Sequence, residues 1–151
     1  GAAVSEALID INTGENRILR ADIIQDCGNS LNENIDIGQI EGGFIQGLGW
    51  LTCEELYFSQ EGKLLTTGPS TYKLPGSRDV PPIFNVKLLE NADNDEKTIF
   101  RSKAVGEPPL LLAISHFLAL KEAIKSSLPS SKAELLNSPA TPSEILKAIY
   151  A

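Results

Sequence analysis

Residues 35–56 constrain this chain more than any other stretch, because they keep a helical period while carrying five glycines, Gly38, Gly42, Gly43, Gly47 and Gly49. Set out at about 100° per residue, Ile37, Ile40, Phe44, Leu48 and Leu51 share one arc of about 80°, and that arc is predicted to face a core. The opposite arc holds Gly38, Gly42, Gly43 and Gly49 with Gln39, Gln46, Trp50 and Cys53, so it is nearly bare backbone with two amides on it. Each helical Gly costs about 0.8 to 1 kcal/mol relative to Ala, so the five together forgo roughly 4 to 5 kcal/mol. Something must approach that arc closely. Packing against a second helix or strand and approach of a ligand account for the spacing equally well. The Glu54-Glu55 pair that follows reads as a solvated helix end.

The elements around this helix predict an α+β domain. Residues 2–11 and 17–27 are rich in Ile, Leu, Val and Ala and flank Asn12-Thr13-Gly14-Glu15, a turn sequence, so they read as a β-hairpin. In its second arm Leu19, Ala21, Ile23 and Cys27 are expected on one face and Arg20, Asp22 and Asp26 on the other. Residues 57–67, centred on Gln60-Glu61-Gly62-Lys63, read as a second hairpin, and residues 68–82, with four prolines, read as loop. Residues 83–90 alternate as a strand, 91–97 as a solvated turn, and 98–104 as a further strand. Pro108 opens a long apolar helix through Leu110, Ala113, Ile114, Phe117, Leu120 and Ile124, with its first half buried. After a linker, Thr141-Pro142-Ser143-Glu144 combines a capping hydroxyl, Pro at the first helical position and Glu three after the cap, so a short terminal helix follows. The expected whole is a mixed sheet with hairpins packed against two main helices and a short C-terminal helix.

Composition excludes several functions. A formal charge of −7 and a pI near 4.7, with no basic stripe, argue against a phosphate-tracking nucleic-acid surface. No apolar run reaches bilayer length and the N-terminus lacks the pattern of a signal peptide, which leaves the cytoplasm as the expected compartment. Cys27 and Cys53, 26 residues apart in sequence, form no CxxC or Cys/His ligand pattern and read as core fillers. His116, the one histidine, has no acid or nucleophile at a supportive spacing and reads as structural.

The segment Ser102-Lys103-Ala104-Val105-Gly106-Glu107-Pro108-Pro109-Leu110 places an acid at the start of an apolar helix. A helix N-terminus normally supports a carboxylate through free N–H groups, but Pro108 and Pro109 bring none. Burial beside Leu110 and Leu111 is expected to disfavour the charged form, moving the group toward the range of a general base. Pro108 is also expected to hold Glu107 in extended backbone angles. From the residues alone, a capping acid without catalytic work competes with a general base.

That segment, together with Asp36-Ile37-Gly38-Gln39-Ile40-Glu41-Gly42-Gly43-Phe44-Ile45-Gln46-Gly47-Leu48-Gly49, closely resembles signature segments of the xanthine dehydrogenase and aldehyde oxidase family of molybdenum hydroxylases. Gly68-Pro69-Ser70-Thr71-Tyr72-Lys73-Leu74-Pro75 and Asn137-Ser138-Pro139-Ala140-Thr141-Pro142 resemble it too, in the family's order. The run 68–75 and Asp79-Val80-Pro81 look most like xanthine dehydrogenases, and among them a bacterial molybdenum subunit. The resemblance implies that Glu107 is the general base that deprotonates the attacking hydroxyl as hydride leaves an electrophilic carbon of a purine or related heterocycle. It implies that Gln39 hydrogen-bonds a molybdopterin-type cofactor, with Gly38 and Gly42 beside it. Metal in that family is held by the pterin dithiolene, so no protein metal ligand is expected. It further implies that residues 1–126 are part of a molybdopterin-binding domain, with 127–151 a linker and helix packed on it. The remaining molybdenum-domain segments and the FAD and 2Fe-2S parts would then be partners lying elsewhere. Gly1 begins inside an expected strand, which fits a fragment of a larger enzyme or a split-gene product. A non-catalytic structural or assembly module, or the same piece of an aldehyde oxidase, are the alternatives.

Overall fold

A computed structural model describes all 151 residues. The first hairpin forms as expected, β1 (Ala2–Ile9) pairing antiparallel with β2 (Asn16–Gln25) around a turn in which the Gly14 N–H donates to the Asp10 carbonyl at 2.8 Å. Gly14 has φ +75°, a left-handed conformation that suits glycine. The register shifts between Glu6 and Ala7, which pair with Arg20 and Ile18, and leaves Leu19 as the extra residue. That bulge corrects the expected face, since one added residue reverses the alternation. Ala21, Ile23 and Cys27 point inward as expected, but before the bulge it is Ile18 that is buried while Leu19 is only half-buried.

β3 (Ile83–Leu88) joins β2 in parallel, giving the mixed sheet β1-β2-β3 with Phe84, Val86 and Leu88 on its more covered side. The second hairpin is minimal, a Phe58–Leu64 bridge closed by Gly62 at φ +80°. The strand expected over 98–104 is absent. Phe100 and Arg101 take φ of 49° and 56°, which no ladder accommodates, and the segment is a 3₁₀ turn (Ile99–Arg101) with a single bridge from Ser102 to Gly28.

The glycine-bearing helix α1 is Glu33–Thr52, starting two residues earlier and ending four earlier than the periodicity indicates. Asn32 caps it, its side chain accepting from the Ile35 N–H, and Cys53 closes it. Ile40, Phe44 and Leu48 are buried and Ile37 and Leu51 half-buried, so the core arc is as expected. They meet Ile18, Ala21, Ile23, Cys27, Val105 and Ala113 in one core, and Phe44 and Phe84 stack with centroids 5.5 Å apart.

The helix opened by Pro108 is of two kinds, 3₁₀ over Pro108–Ala113 and then α2 over Ile114–Ser127. Its first half is covered on one side only: Pro109 and Ala113 are buried, whereas Leu111 is 66% exposed. The terminal helix α3 (Pro142–Tyr150) forms as read, Thr141 accepting from the Glu144 N–H. α2 and α3 build a second core of Leu120, Ile124, Leu136, Ala140, Ile145, Ala148 and Ile149, against which Ala7 and Ile9 of β1 pack. The hairpin thus serves both cores. No helix is long and apolar enough to cross a membrane.

Candidate active site on the glycine helix

The glycines of α1 divide into two groups that the sequence shows as one arc. Gly43 and Gly47 form a seam against the 3₁₀ segment. A Cβ on Gly43 would stand 3.2 Å from the Gly106 carbonyl oxygen, and one on Gly47 would meet the Leu110 carbonyl and lie 2.9 Å from the Ala113 Cβ. Gly49 is closed off by Glu54 and Pro75. Gly38 and Gly42 face open space, with nothing within 4 Å of an added Cβ, and Gln39, Gln46 and half-exposed Trp50 stand beside them. Close helix packing therefore explains the inner glycines and leaves Gly38 and Gly42 unexplained.

The seam also positions Glu107. The chain before it is fixed by the Lys103 N–H donating to the Cys27 carbonyl at 2.8 Å, by the Lys103 ammonium on Asp26 Oδ2 at 2.5 Å, and by buried Val105. The hydrogen bond from Lys103, with another from the Gly28 N–H, holds the Asp26 carboxyl below its usual range. After Glu107, buried Pro109 seats against Gly43. The Gly106 carbonyl thus meets α1 at Gly43, the residue next to Gly42 in sequence.

Two expectations for Glu107 are corrected. Its backbone is helical, φ −91° and ψ −27°, because the 3₁₀ turn already begins there and the Leu110 N–H donates to the Glu107 carbonyl at 2.9 Å. Its side chain is exposed, since Leu111 points away from the core and brings no cover. The burial on which the argument for a general base rested is therefore not supplied by this chain. The competing role as a cap is not served either: the side chain makes no capping hydrogen bond, the two prolines having removed the donors. The side chain is exposed and uncapped.

Glu54 departs from its reading as a solvated helix end. It is buried and accepts from the Tyr72 hydroxyl at 2.6 Å, which pins the 68–75 loop to the end of α1 and pushes the Tyr72 hydroxyl up. Glu54 and Tyr72 lie 18 residues apart, and no local pattern pairs them. Cys27 is a buried filler as read, whereas Cys53 is only half-buried and its thiol reaches the Lys73 carbonyl. His116 is buried as read.

Gly38 and Gly42, one turn apart, leave a strip of backbone uncovered at two positions, and the exposed Gln39 amide can offer both a donor and an acceptor to a ligand.

The model of the molybdopterin cofactor-binding domain family matches residues 1–81. The xanthine dehydrogenase/oxidase of Felis catus is 53% identical over 98% of this chain, which spans 12% of that protein. The xanthine dehydrogenase of Dictyostelium discoideum is 54% identical over 84% of the chain and 9% of its own length. Among solved structures, the quinoline 2-oxidoreductase of Pseudomonas putida 86 superposes with a TM-score of 0.80 at 28% identity, covering 93% of this chain and 17% of that one. With the family model matching more than half of the chain and relatives 53% and 54% identical covering most of it, the chain belongs to the molybdopterin cofactor-binding domain family.

Proposed function

We propose that this chain forms one wall of the active site of a xanthine dehydrogenase-type molybdenum hydroxylase, acting on a purine or a related heterocycle. The observation that carries the reading is the seating of Gly106 and Pro109, the residues flanking an exposed and uncapped Glu107, against Gly43 of the helix whose Gly38 and Gly42 stay open. In this reading Gln39 hydrogen-bonds the edge of the pterin while Gly38 and Gly42 let its ring lie against backbone. The cofactor supplies the redox chemistry when bound. Glu107 supplies proton transfer: its carboxylate oxygen takes the proton of the hydroxyl nucleophile, so that nucleophile attacks an electron-poor ring carbon more readily. Pro109 seats the Glu107 segment on the helix that carries Gln39, and the Lys103–Asp26 ion pair ties the same segment to the end of β2, which in this reading holds base and cofactor edge in one frame. The names of the relatives at about half identity support the purine reading. Cofactor-domain segments outside these residues, and FAD and 2Fe-2S parts, complete the enzyme in this reading.

Glu107→Gln in the complete enzyme tests it. The substitution keeps shape and should leave molybdenum and pterin content unchanged while lowering turnover by about 10² to 10⁴. A variant keeping more than about a tenth of the wild-type rate per bound molybdenum would remove Glu107 from the chemistry, since tenfold is only about 1.4 kcal/mol.

A further inference from the structure

A cavity of about 740 Å³ lies between β2, the end of α1 and the proline-rich loop, and none of Gly38, Gln39, Gly42 or Glu107 lines it. Its walls carry three cations, Arg17 from β2 and Lys73 and Arg78 from the proline-rich loop. None of the three is in an ion pair, although the chain as a whole carries a charge of −7. Two carboxylates, Glu15 and Asp79, share the walls, and Asp79 is engaged by the Gly76 N–H at 2.7 Å. His116 also lines the cavity. It is 1% exposed, and both ring nitrogens are buried without a hydrogen-bond partner.

An imidazole with two orphaned nitrogens is an expensive thing to bury, because each lost hydrogen bond to water must be replaced. Burial also pushes its pKa down to about 4, so near neutrality the ring is uncharged, with one nitrogen donating and the other accepting. The two nitrogens point to different sides of the ring, so a single ligand group meets only the one that faces the cavity, accepting from its N–H or donating a hydroxyl to its lone pair. A phosphate can do either, and its negative charge suits three unpaired cations. The volume is that of an ordinary small-molecule pocket.

We propose that this cavity binds the phosphate group of a small molecule, with His116 hydrogen-bonding it from the floor and Arg17, Lys73 and Arg78 closing on it from the rim. The group is inorganic phosphate itself or the head of a phosphate monoester.

Site-resolved chemical protection on the complete protein tests the proposal. Arg17 and Arg78 are modified with phenylglyoxal and Lys73 with an acetylating reagent, and each rate is read by peptide mass spectrometry, with exposed Arg101, Lys97 and Lys125 as controls. Inorganic phosphate or methyl phosphate at twice its dissociation constant should slow the three cavity residues about threefold and leave the controls unchanged. Sodium chloride at matched ionic strength should protect none of them. Whichever phosphate protects at the lower concentration distinguishes the free ion from a monoester. His116→Leu should abolish protection of Arg17 and Lys73. Arg78→Gln, on an exposed loop where folding is not at issue, should weaken it. Protection of cavity and control residues alike, protection by neither phosphate, or protection unaltered in both variants would overturn the proposal.

Discussion

The carbonyl oxygen of Leu110 occupies the space where a side chain on Gly47 would begin, and the Ala113 Cβ crowds the same point from 2.9 Å. The 3₁₀ segment can lie this close only because α1 presents bare backbone to it. Gly47→Ala should therefore destabilise the fold by about 1 to 3 kcal/mol, the range for forcing a group into a packed site. Gly42→Ala adds the same methyl to open space and should stabilise by about 0.8 to 1 kcal/mol through helix propensity alone. Denaturant unfolding of the two variants separates them, and equal effects of the same sign would refute the division of the glycines.

Gly42→Leu asks what the open strip is for. The chain itself accommodates the larger side chain, since nothing lies within 4 Å. In the assembled enzyme the variant should fold normally and lose bound molybdenum and pterin. Wild-type metal content would show that nothing approaches this face.

His116 predicts a stability that depends on acid. Its folded pKa of about 4 lies below the ordinary 6.5, so between these values the unfolded chain takes up a proton that the folded chain refuses. Stability should fall with decreasing pH across that window, by about 1.4 kcal/mol per unit and about 3 kcal/mol in all. In phosphate-free buffer, His116→Leu should flatten the slope between pH 6.5 and 4. A wild-type slope in that variant would assign the effect to other groups.

Ile99 and Phe100 are each 73% exposed and Leu111 66%, all close in sequence to Glu107. Large apolar side chains left this open are what a partner surface commonly covers. Residues 1–151 alone should neither retain molybdenum nor oxidise xanthine, as elemental analysis and a urate absorbance assay will report. Turnover by the isolated chain would contradict the reading of this face as incomplete.

Elements whose reasons are local were legible in the sequence. The hairpin announced itself by alternation around Asn12-Thr13-Gly14-Glu15, α1 by the Ile40, Phe44 and Leu48 spacing, and α3 by its Thr141 cap and Pro142. What escaped depends on partners distant in the chain. The bulge at Leu19 arises from how β1 pairs, and the turn at Phe100 and Arg101 from backbone angles that apolar composition does not reveal. The candidate site was legible as residues and not as environment. Gly38, Gln39 and Gly42 lie exposed on α1, yet the exposure of Glu107 follows from which way Leu111 points. The cavity around His116 draws on residues 15 to 142 and has no signature at any one spacing.

Helix α1 carries three different demands around its circumference: an oily side for the sheet, a bare side for the 3₁₀ segment and an uncovered side beside Glu107. A rod of this kind behaves like a keyed shaft. Rotating it by one residue, about 100°, would push Phe44 or Ile40 into the seam or out to water, so its angular setting is fixed by contacts remote from the strip. The aim of Gln39 is consequently set by the core, and substitutions far from the strip that loosen the keying should be felt there as misalignment before they are felt as unfolding.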